Sequence, residues 1–186
     1  MRYQKYIAAT SALIFTVCGM LLGTPSAHAM DQVSIDNIQA AVRTLSFLES
    51  LPKEGPIVVG VIYPSDIPDA QAVAEAPAQL IGTLHGPNSR ALRAVVISTD
   101  ALAAFEGHLD VLFLMVGASK HSALILDTIR RHRLVTISDD PSCANARCCV
   151  IMVRSGQRIE ISLNTALADA VGARFSLVFT MVVKRQ

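Results

Sequence analysis

The heptapeptide IVVGVIY, residues Ile57–Tyr63, carries no charge and is rich in β-branched side chains. A run this short, without polar alternation, predicts a β-strand that is covered on both faces, as in the centre of a parallel sheet. The run DVLFLMV, residues Asp110–Val116, has the same character, and further strands are predicted at Leu92–Ser98 and Leu134–Ser138. Because doubly covered strands need helices on both faces, these runs together predict an α/β domain.

Helices are predicted between these strands, so that strand and helix alternate along the chain. Apolar residues recur at helical spacing in Asp31–Ser50, and Asp69–Ile81 is alanine-rich. A short helix is predicted from a cap at Thr99 or Asp100, and a longer one begins with Ser119 as its N-cap.

The C-terminal part of the sequence predicts a hairpin. The strand Cys148–Arg154 is followed by Ser155-Gly156, which is turn chemistry, and by Arg158–Leu163, which alternates apolar and polar residues. Alternation predicts an antiparallel strand with Ile159, Ile161 and Leu163 facing inward and the other face in water.

A short helix capped by Asn164 and closed by Gly172 should follow the hairpin. Residues 175–183 are apolar and β-branched, which favours a strand and leaves a buried helix as the alternative. We therefore expect a single layered α/β domain with a mixed sheet of about six strands, flanked by helices.

The N-terminus has the layout of a secretory signal peptide. Arg2 and Lys5 precede the apolar run Ile7–Gly23, and Ala27-His28-Ala29 is a small-x-small exit. We expect cleavage after Ala29, so that residues 1–29 are the signal peptide and residues 30–186 form the domain in the periplasm. A transmembrane anchor is the rival interpretation, but the glycines and the proline near the end of the run argue against a full span.

The charge balance gives no support for binding to nucleic acid or to a membrane surface. Removing Arg2 and Lys5 takes Lys plus Arg from 16 to 14 against 15 acids. A nearly neutral chain without basic clusters interleaved with aromatics gives no basis for binding nucleic acid, and none for cationic attraction to a membrane.

Three of the four cysteines fall in PSCANARCC, residues 141–149. Structural zinc needs four ligands, and Cys143, Cys148 and Cys149 have no second pair, while the nearest histidine, His132, lies across a strand. A cysteine nucleophile needs a base, and none is visible. Export into an oxidising compartment favours a disulfide instead.

The pairing of these cysteines stays open between two choices. Cys143 can reach back to either Cys149, which we favour slightly, or Cys148, and an odd count leaves one thiol over. We expect the bridge to shape a surface loop rather than to hold the whole domain together.

The order of segments resembles the YfiR/HmsC-like periplasmic proteins. The resemblance rests on Val111–Leu114, Leu134–Asp139, Val150–Val153 and Arg158–Leu163, which match the family's strands in order and spacing, and it spans about residues 45–174. Cys148-Cys149 stand where that family usually has a pair of glycines.

The resemblance implies a regulator without chemistry of its own. Proteins of this kind repress an inner-membrane diguanylate cyclase by contacting its periplasmic sensor domain, and disulfides link repression to redox state. It implies no enzyme, no catalytic residue, no metal and no cofactor, and a homodimer is allowed. For the contact surface we single out the polar face of the hairpin, Arg154, Arg158 and Glu160.

A second function remains open on the residues themselves. Ligands of α/β sheets bind at the carboxyl ends of the strands, here near Tyr63–Asp66 and Gly117–Lys120. The alternative is therefore a periplasmic module that binds a small ligand.

Overall fold

The computed structural model describes residues 34–185, so the predicted signal peptide and its cleavage site lie outside the described residues. The seven strands are β1 Ile57–Tyr63, β2 Leu92–Ser98, β3 Val111–Leu114, β4 Val135–Ser138, β5 Ile151–Arg154, β6 Glu160–Leu163 and β7 Lys184–Arg185. The seven α-helices are α1 Ile35–Thr44, α2 Ala70–Thr83, α3 Thr99–Leu102, α4 Ser122–His132, α5 Pro141–Asn145, α6 Thr165–Val171 and α7 Leu177–Val182.

All seven strands join one mixed sheet, in the order β2-β1-β3-β4-β5-β6-β7. Strands β1 to β5 pair in parallel, whereas β6 is antiparallel to β5 and β7 is parallel to β6. The predicted fold class is confirmed, with one strand more than the six expected because β7, only two residues long, extends the edge.

The direction of the crossovers distributes the helices over the two faces of the sheet. The connection from β1 to β2 moves one way across the sheet and the connection from β3 to β4 moves the other way, and right-handed crossovers then lie on opposite faces. Accordingly α1 packs with α2, while α4 packs with α3 and α6. Strands β3 and β4 are buried along their whole length; the apolar sequence of β3 predicts this, whereas β4 also buries the hydroxyl groups of Thr136 and Ser138.

The predicted strand at residues 175–183 is wrong, and the segment forms α7 followed by β7. Ser176 is the N-cap, and its Oγ accepts a hydrogen bond from the backbone N of Phe179 at 3.4 Å. Of the six residues of α7, only Phe179 is buried. The alternative prediction, a buried helix, is therefore right about the helix but wrong about its burial.

The hairpin forms, but its alternation departs from the prediction. Ile159 precedes β6 and is 41% exposed, whereas Ser162 is buried because it lies between Met152 of β5 and Lys184 of β7. Strand β5 begins at Ile151, so Cys148 and Cys149 precede it rather than open it.

Helix termini give a mixed result. Asn164 caps α6 through a hydrogen bond from the backbone N of Leu167, and Gly172 ends it in the left-handed conformation, as expected. The cap of α3 is Ser98, which comes before both predicted caps, Thr99 and Asp100. Ser119 lies in a short 3-10 turn, residues 118–121, and α4 begins only at Ser122 because this turn comes between strand and helix.

Candidate functional site

Three charged side chains surround the turn between β5 and β6, and we name Arg154, Arg158 and Glu160 the hairpin surface. The strand register places Arg154 opposite Glu160, and the guanidinium Nη2 lies 3.2 Å from the carboxylate Oε2. Both side chains are about half exposed, and with Arg158 they line one open depression. The structure therefore brings the three predicted contact residues to a single solvent-facing surface.

The three cysteines lie in the core and not in a surface loop. Cys143 is in α5, while Cys148 and Cys149 lie between α5 and β5, and their exposures are 1%, 0% and 2%. All three are free thiols in this structure. The Sγ of Cys148 donates to the carbonyl oxygen of Cys143 at 3.6 Å, so the predicted partners are close together.

Hydrogen bonds among the three thiols shift the pKa values of Cys143 and Cys148 in opposite directions. Hydrogen bonds with Cys148 and Cys149, together with burial, raise the pKa of Cys143. The hydrogen bond from Cys143 lowers the pKa of Cys148, and burial opposes it. At a given pH, Cys148 therefore holds more of the thiolate form than Cys143, and the thiolate is the form that attacks in disulfide exchange.

Asp140 connects the start of residues 141–149, which we name the cysteine segment, to the turn that follows β3. Its Oδ1 accepts from the backbone N of Ser142 at 2.9 Å and thereby caps α5. Its Oδ2 accepts from the backbone N of Gly117 at 3.0 Å and from the Oγ of Ser142 at 2.6 Å. This buried carboxylate therefore holds the turn after β3 and the helix after β4 in one arrangement.

The carboxyl ends of β1 and β3 meet where the sheet order reverses, which is the usual ligand crevice of this topology. Here the Oδ1 of Asp66 lies 3.1 Å from the Nε2 of His121, and Lys120 lies 3.9 Å from the same carboxylate. The hydrogen bond with His121 is the largest of the causes that lower the pKa of Asp66, and the charge of Lys120 is a smaller one. The side chain of Ile67 also lies close to Gly117, so the two predicted segments converge at this end of the sheet.

A buried amide and a carboxyl form a pair that sequence reasoning missed. The Nδ2 of Asn37 in α1 donates to the Oδ2 of Asp139 after β4 at 3.1 Å. The amide oxygen Oδ1 of Asn37 and the carboxyl oxygen Oδ1 of Asp139 are both buried without a hydrogen-bond partner. Burial is the main cause that raises the pKa of Asp139. No sequence signal links two residues that lie 102 positions apart.

Residues 34–185 contain neither a metal-binding cluster nor a membrane-spanning helix. In that part of the chain, no cluster of three or more histidine, cysteine or acidic side chains is arranged to hold a metal ion. None of its helices has the length and hydropathy to cross a bilayer.

Solved structures support the fold. The ligand-free, open structure of CD0873, a substrate-binding protein with adhesive properties from Clostridium difficile, superposes with a TM-score of 0.53 at 9% sequence identity. The alignment covers 70% of this chain and 54% of that chain, so this chain spans about half the length of CD0873. At this identity the likeness shows the fold alone. No curated protein matches the sequence.

The sequence profile named DUF4154, described as YfiR/HmsC-like, matches residues 49–178. The matched region includes all the elements from β1 to α6, the cysteine segment and the hairpin surface. The family is one of periplasmic regulators of cyclic-di-GMP signalling rather than of enzymes. Because the match covers well over half of the chain, this protein belongs to the YfiR/HmsC-like family.

Proposed function

We propose that this protein represses a membrane-anchored diguanylate cyclase from the periplasm, by contact with the cyclase's periplasmic sensor domain. The observation that carries the proposal is the family match over residues 49–178. In this function the protein needs a cleaved export signal and a contact surface, and it needs no reaction of its own.

The hairpin surface is the contact in this proposal. The backbone pairing of β5 with β6 holds Arg154 and Glu160 in register, and Arg158 lies in the connection between these two strands. The exposed ion pair of Arg154 and Glu160 contributes little to folding stability, and its charges are free to steer a partner. Charged groups at the rim of an interface govern specificity and association rate more than affinity.

The cysteine segment supplies the redox control in this proposal. A bridge from Cys143 to Cys149, or to Cys148, would close a loop of a few residues and stabilise the folded state by about 2 kcal/mol. Only Val150 separates Cys149 from Ile151, the first residue of β5, and β5 ends at Arg154 of the hairpin surface. A bridge would therefore fix the start of the strand whose other end makes the contact.

Gene deletion with complementation tests the function. Deletion should raise cellular cyclic-di-GMP and surface attachment, and the wild-type gene should restore both. Arg158→Glu, which reverses an exposed charge of the hairpin surface, should fail to restore them. Arg93→Glu is the matched control, because Arg93 is exposed on β2 at the opposite edge of the sheet.

The same experiment separates repression from ligand binding. Unchanged cyclic-di-GMP after deletion, together with tight binding of a small solute by the purified protein, would overturn repression in favour of a ligand-binding module. Loss of repression on reduction of the protein, without loss of folding, would support the redox control.

A further inference from the structure

The largest group of exposed apolar side chains belongs to α7. Seven large apolar residues are exposed in the part of the chain that the structure describes, and four of them lie in this six-residue helix. We name these four the α7 face, and their exposures are 74% for Leu177, 65% for Val178, 74% for Met181 and 76% for Val182. An apolar cluster on the solvent side of a helix marks an interaction site.

The orientation of α7 is fixed by aromatic packing. Phe179 is 2% exposed, and its ring stacks on Phe47 at 5.1 Å and on Phe175 at 5.2 Å between centroids. At about 100° per residue, a helix that turns Phe179 inward places the α7 face on one continuous arc away from the core. The helix therefore cannot bury its apolar face without losing this aromatic stack.

Three exposed cations flank α7 along the chain. Arg174 precedes the helix, and Lys184 and Arg185 follow it in β7, all three exposed. The Nη2 of Arg185 donates to the carbonyl oxygen of Thr180 at 3.3 Å, so this cation lies against the helix. Residues 170–186 contain no Asp or Glu, and none of the three cations takes part in an ion pair within residues 34–185.

This combination identifies the chemistry of the partner. An exposed apolar arc flanked by unpaired cations is the pattern of a helix that lies in the interface of an anionic membrane. A protein partner of standard size buries about 800 Å² per side, which is far more than one six-residue helix presents. We propose that the α7 face inserts into the surface of an anionic phospholipid bilayer, with Arg174, Lys184 and Arg185 binding lipid phosphates.

The proposal does not depend on repression of a cyclase. It goes beyond that function because it gives the protein its own affinity for a membrane surface. Nearly neutral composition had given no sign of such affinity, since the three cations are a small share of the 16 in the chain and are concentrated at one place.

A single introduced tryptophan tests the proposal at the site itself, because the chain has no tryptophan. Met181→Trp, purified from the periplasm, is mixed with phosphatidylcholine vesicles with or without phosphatidylglycerol. Its emission should shift to the blue with the anionic vesicles and return as salt is added. Ile35→Trp is the matched control, because Ile35 is 61% exposed and is the first residue of α1, and its emission should not shift.

Vesicle sedimentation gives a second readout. Leu177→Asn with Met181→Asn should lower partitioning about tenfold or more, since it removes two inserted apolar side chains. Lys184→Gln with Arg185→Gln should weaken binding only to the anionic vesicles. Absence of binding, or binding unaffected by either double variant, would overturn the proposal. Concentration-dependent dimerisation that Leu177→Asn with Met181→Asn abolishes, without vesicle binding, would assign the α7 face to a second copy and would also refute it.

Discussion

The hydroxyl group of Thr136 joins strand β4 to the cysteine segment at Cys148. Its Oγ1 donates to the carbonyl oxygen of Cys148 at 2.9 Å and accepts from the backbone N of Val150 at 3.0 Å. Both Thr136 and Cys148 are fully buried. The buried hydroxyl group of Thr136 therefore connects the backbone at Cys148 and Val150 to strand β4 by hydrogen bonds.

We expect Thr136→Val to destabilise the protein by about 1–3 kcal/mol, because the carbonyl of Cys148 is left buried without its donor. The change is nearly isosteric, so packing contributes little to the loss. Urea unfolding monitored by circular dichroism measures it. Thr136→Ser keeps the hydroxyl and should retain most of the stability, and equal losses in the two variants would contradict the assigned role of the hydrogen bonds.

The layered fold could be predicted because several of its strands are continuous runs of apolar residues in the sequence. Ile57–Tyr63 and Leu92–Ser98 are predicted with the bounds that the structure has. Asn164 and Gly172 bound α6 through local chemistry that any sequence reader can find. In these places the local preference and the tertiary structure agree, as expected for a foldable sequence.

The prediction failed where burial, not propensity, decides. Residues 177–182 are apolar and β-branched, yet they form a helix with its apolar side in solvent, and a propensity argument assumes that such residues are inside. The sequence also predicts an irregular surface loop for the cysteines, whereas they lie in and next to the short helix α5, inside the core. Asp140 as N-cap with Pro141 at the first helical position is a helix signal that could have revealed α5.

Contacts across the fold could not be predicted at all. Nothing in one sequence shows that Asn37 lies against Asp139. The residues of the hairpin surface can be singled out from the sequence, but the pairing of Arg154 with Glu160 cannot, because the turn predicted at Ser155-Gly156 is shorter than the connection in the structure. The candidate site is thus predictable where it is local and unpredictable where it is assembled from distant segments.

A second prediction concerns two of the three glycines that have a left-handed conformation within residues 34–185. Gly117 has φ of +87° and Gly172 has φ of +70°, but an added Cβ at Gly117 would lie 2.9 Å from the Cδ1 of Ile67, while at Gly172 it would meet nothing within 4 Å. Gly172→Ala should lose about 1 kcal/mol from backbone strain alone. Gly117→Ala should lose more, because the side chain of Ile67 must also move.

Thermal or urea unfolding of the two variants compares these losses. Ile67→Val removes the clashing Cδ1, so it should reduce the cost of Gly117→Ala in the double variant. Strict additivity of the two changes would show that the contact with Ile67 is not the cause.

A third prediction follows from the raised pKa of Asp139. A carboxyl whose folded-state pKa is above its ordinary 3.8 binds protons more tightly when folded. Its contribution to stability is complete below that ordinary value and is lost as pH rises through the raised pKa. Asp139→Asn stays neutral and can donate to the unpartnered Oδ1 of Asn37, so it should stabilise the protein at neutral pH by about 1 kcal/mol.

Urea midpoints over a series of pH values measure this effect. The variant Asp139→Asn should lack the fall in stability that the wild type shows above the ordinary carboxyl range. Asn37→Asp places a second carboxyl against Asp139 and should destabilise most at neutral pH. If Asp139→Asn is less stable than the wild type at neutral pH, the explanation by a buried, unpaired carboxyl oxygen is wrong.

The last prediction concerns the sulfur chemistry of the cysteine segment. In protein isolated oxidised from the periplasm, non-reducing peptide mapping should find Cys143 joined to Cys149, or to Cys148 as the alternative, with one thiol left over. Because all three cysteines are buried, that thiol should resist alkylation in the native protein and react once per chain after denaturation. Cys143→Ser should unfold about 2 kcal/mol more easily than the oxidised wild type and should no longer respond to reductant. Comparison of Cys148→Ser with Cys149→Ser identifies the partner, because only the loss of the bridged cysteine makes the protein insensitive to reductant. Three alkylatable thiols in denatured, unreduced protein would refute the bridge, and the redox control of repression would fall with it.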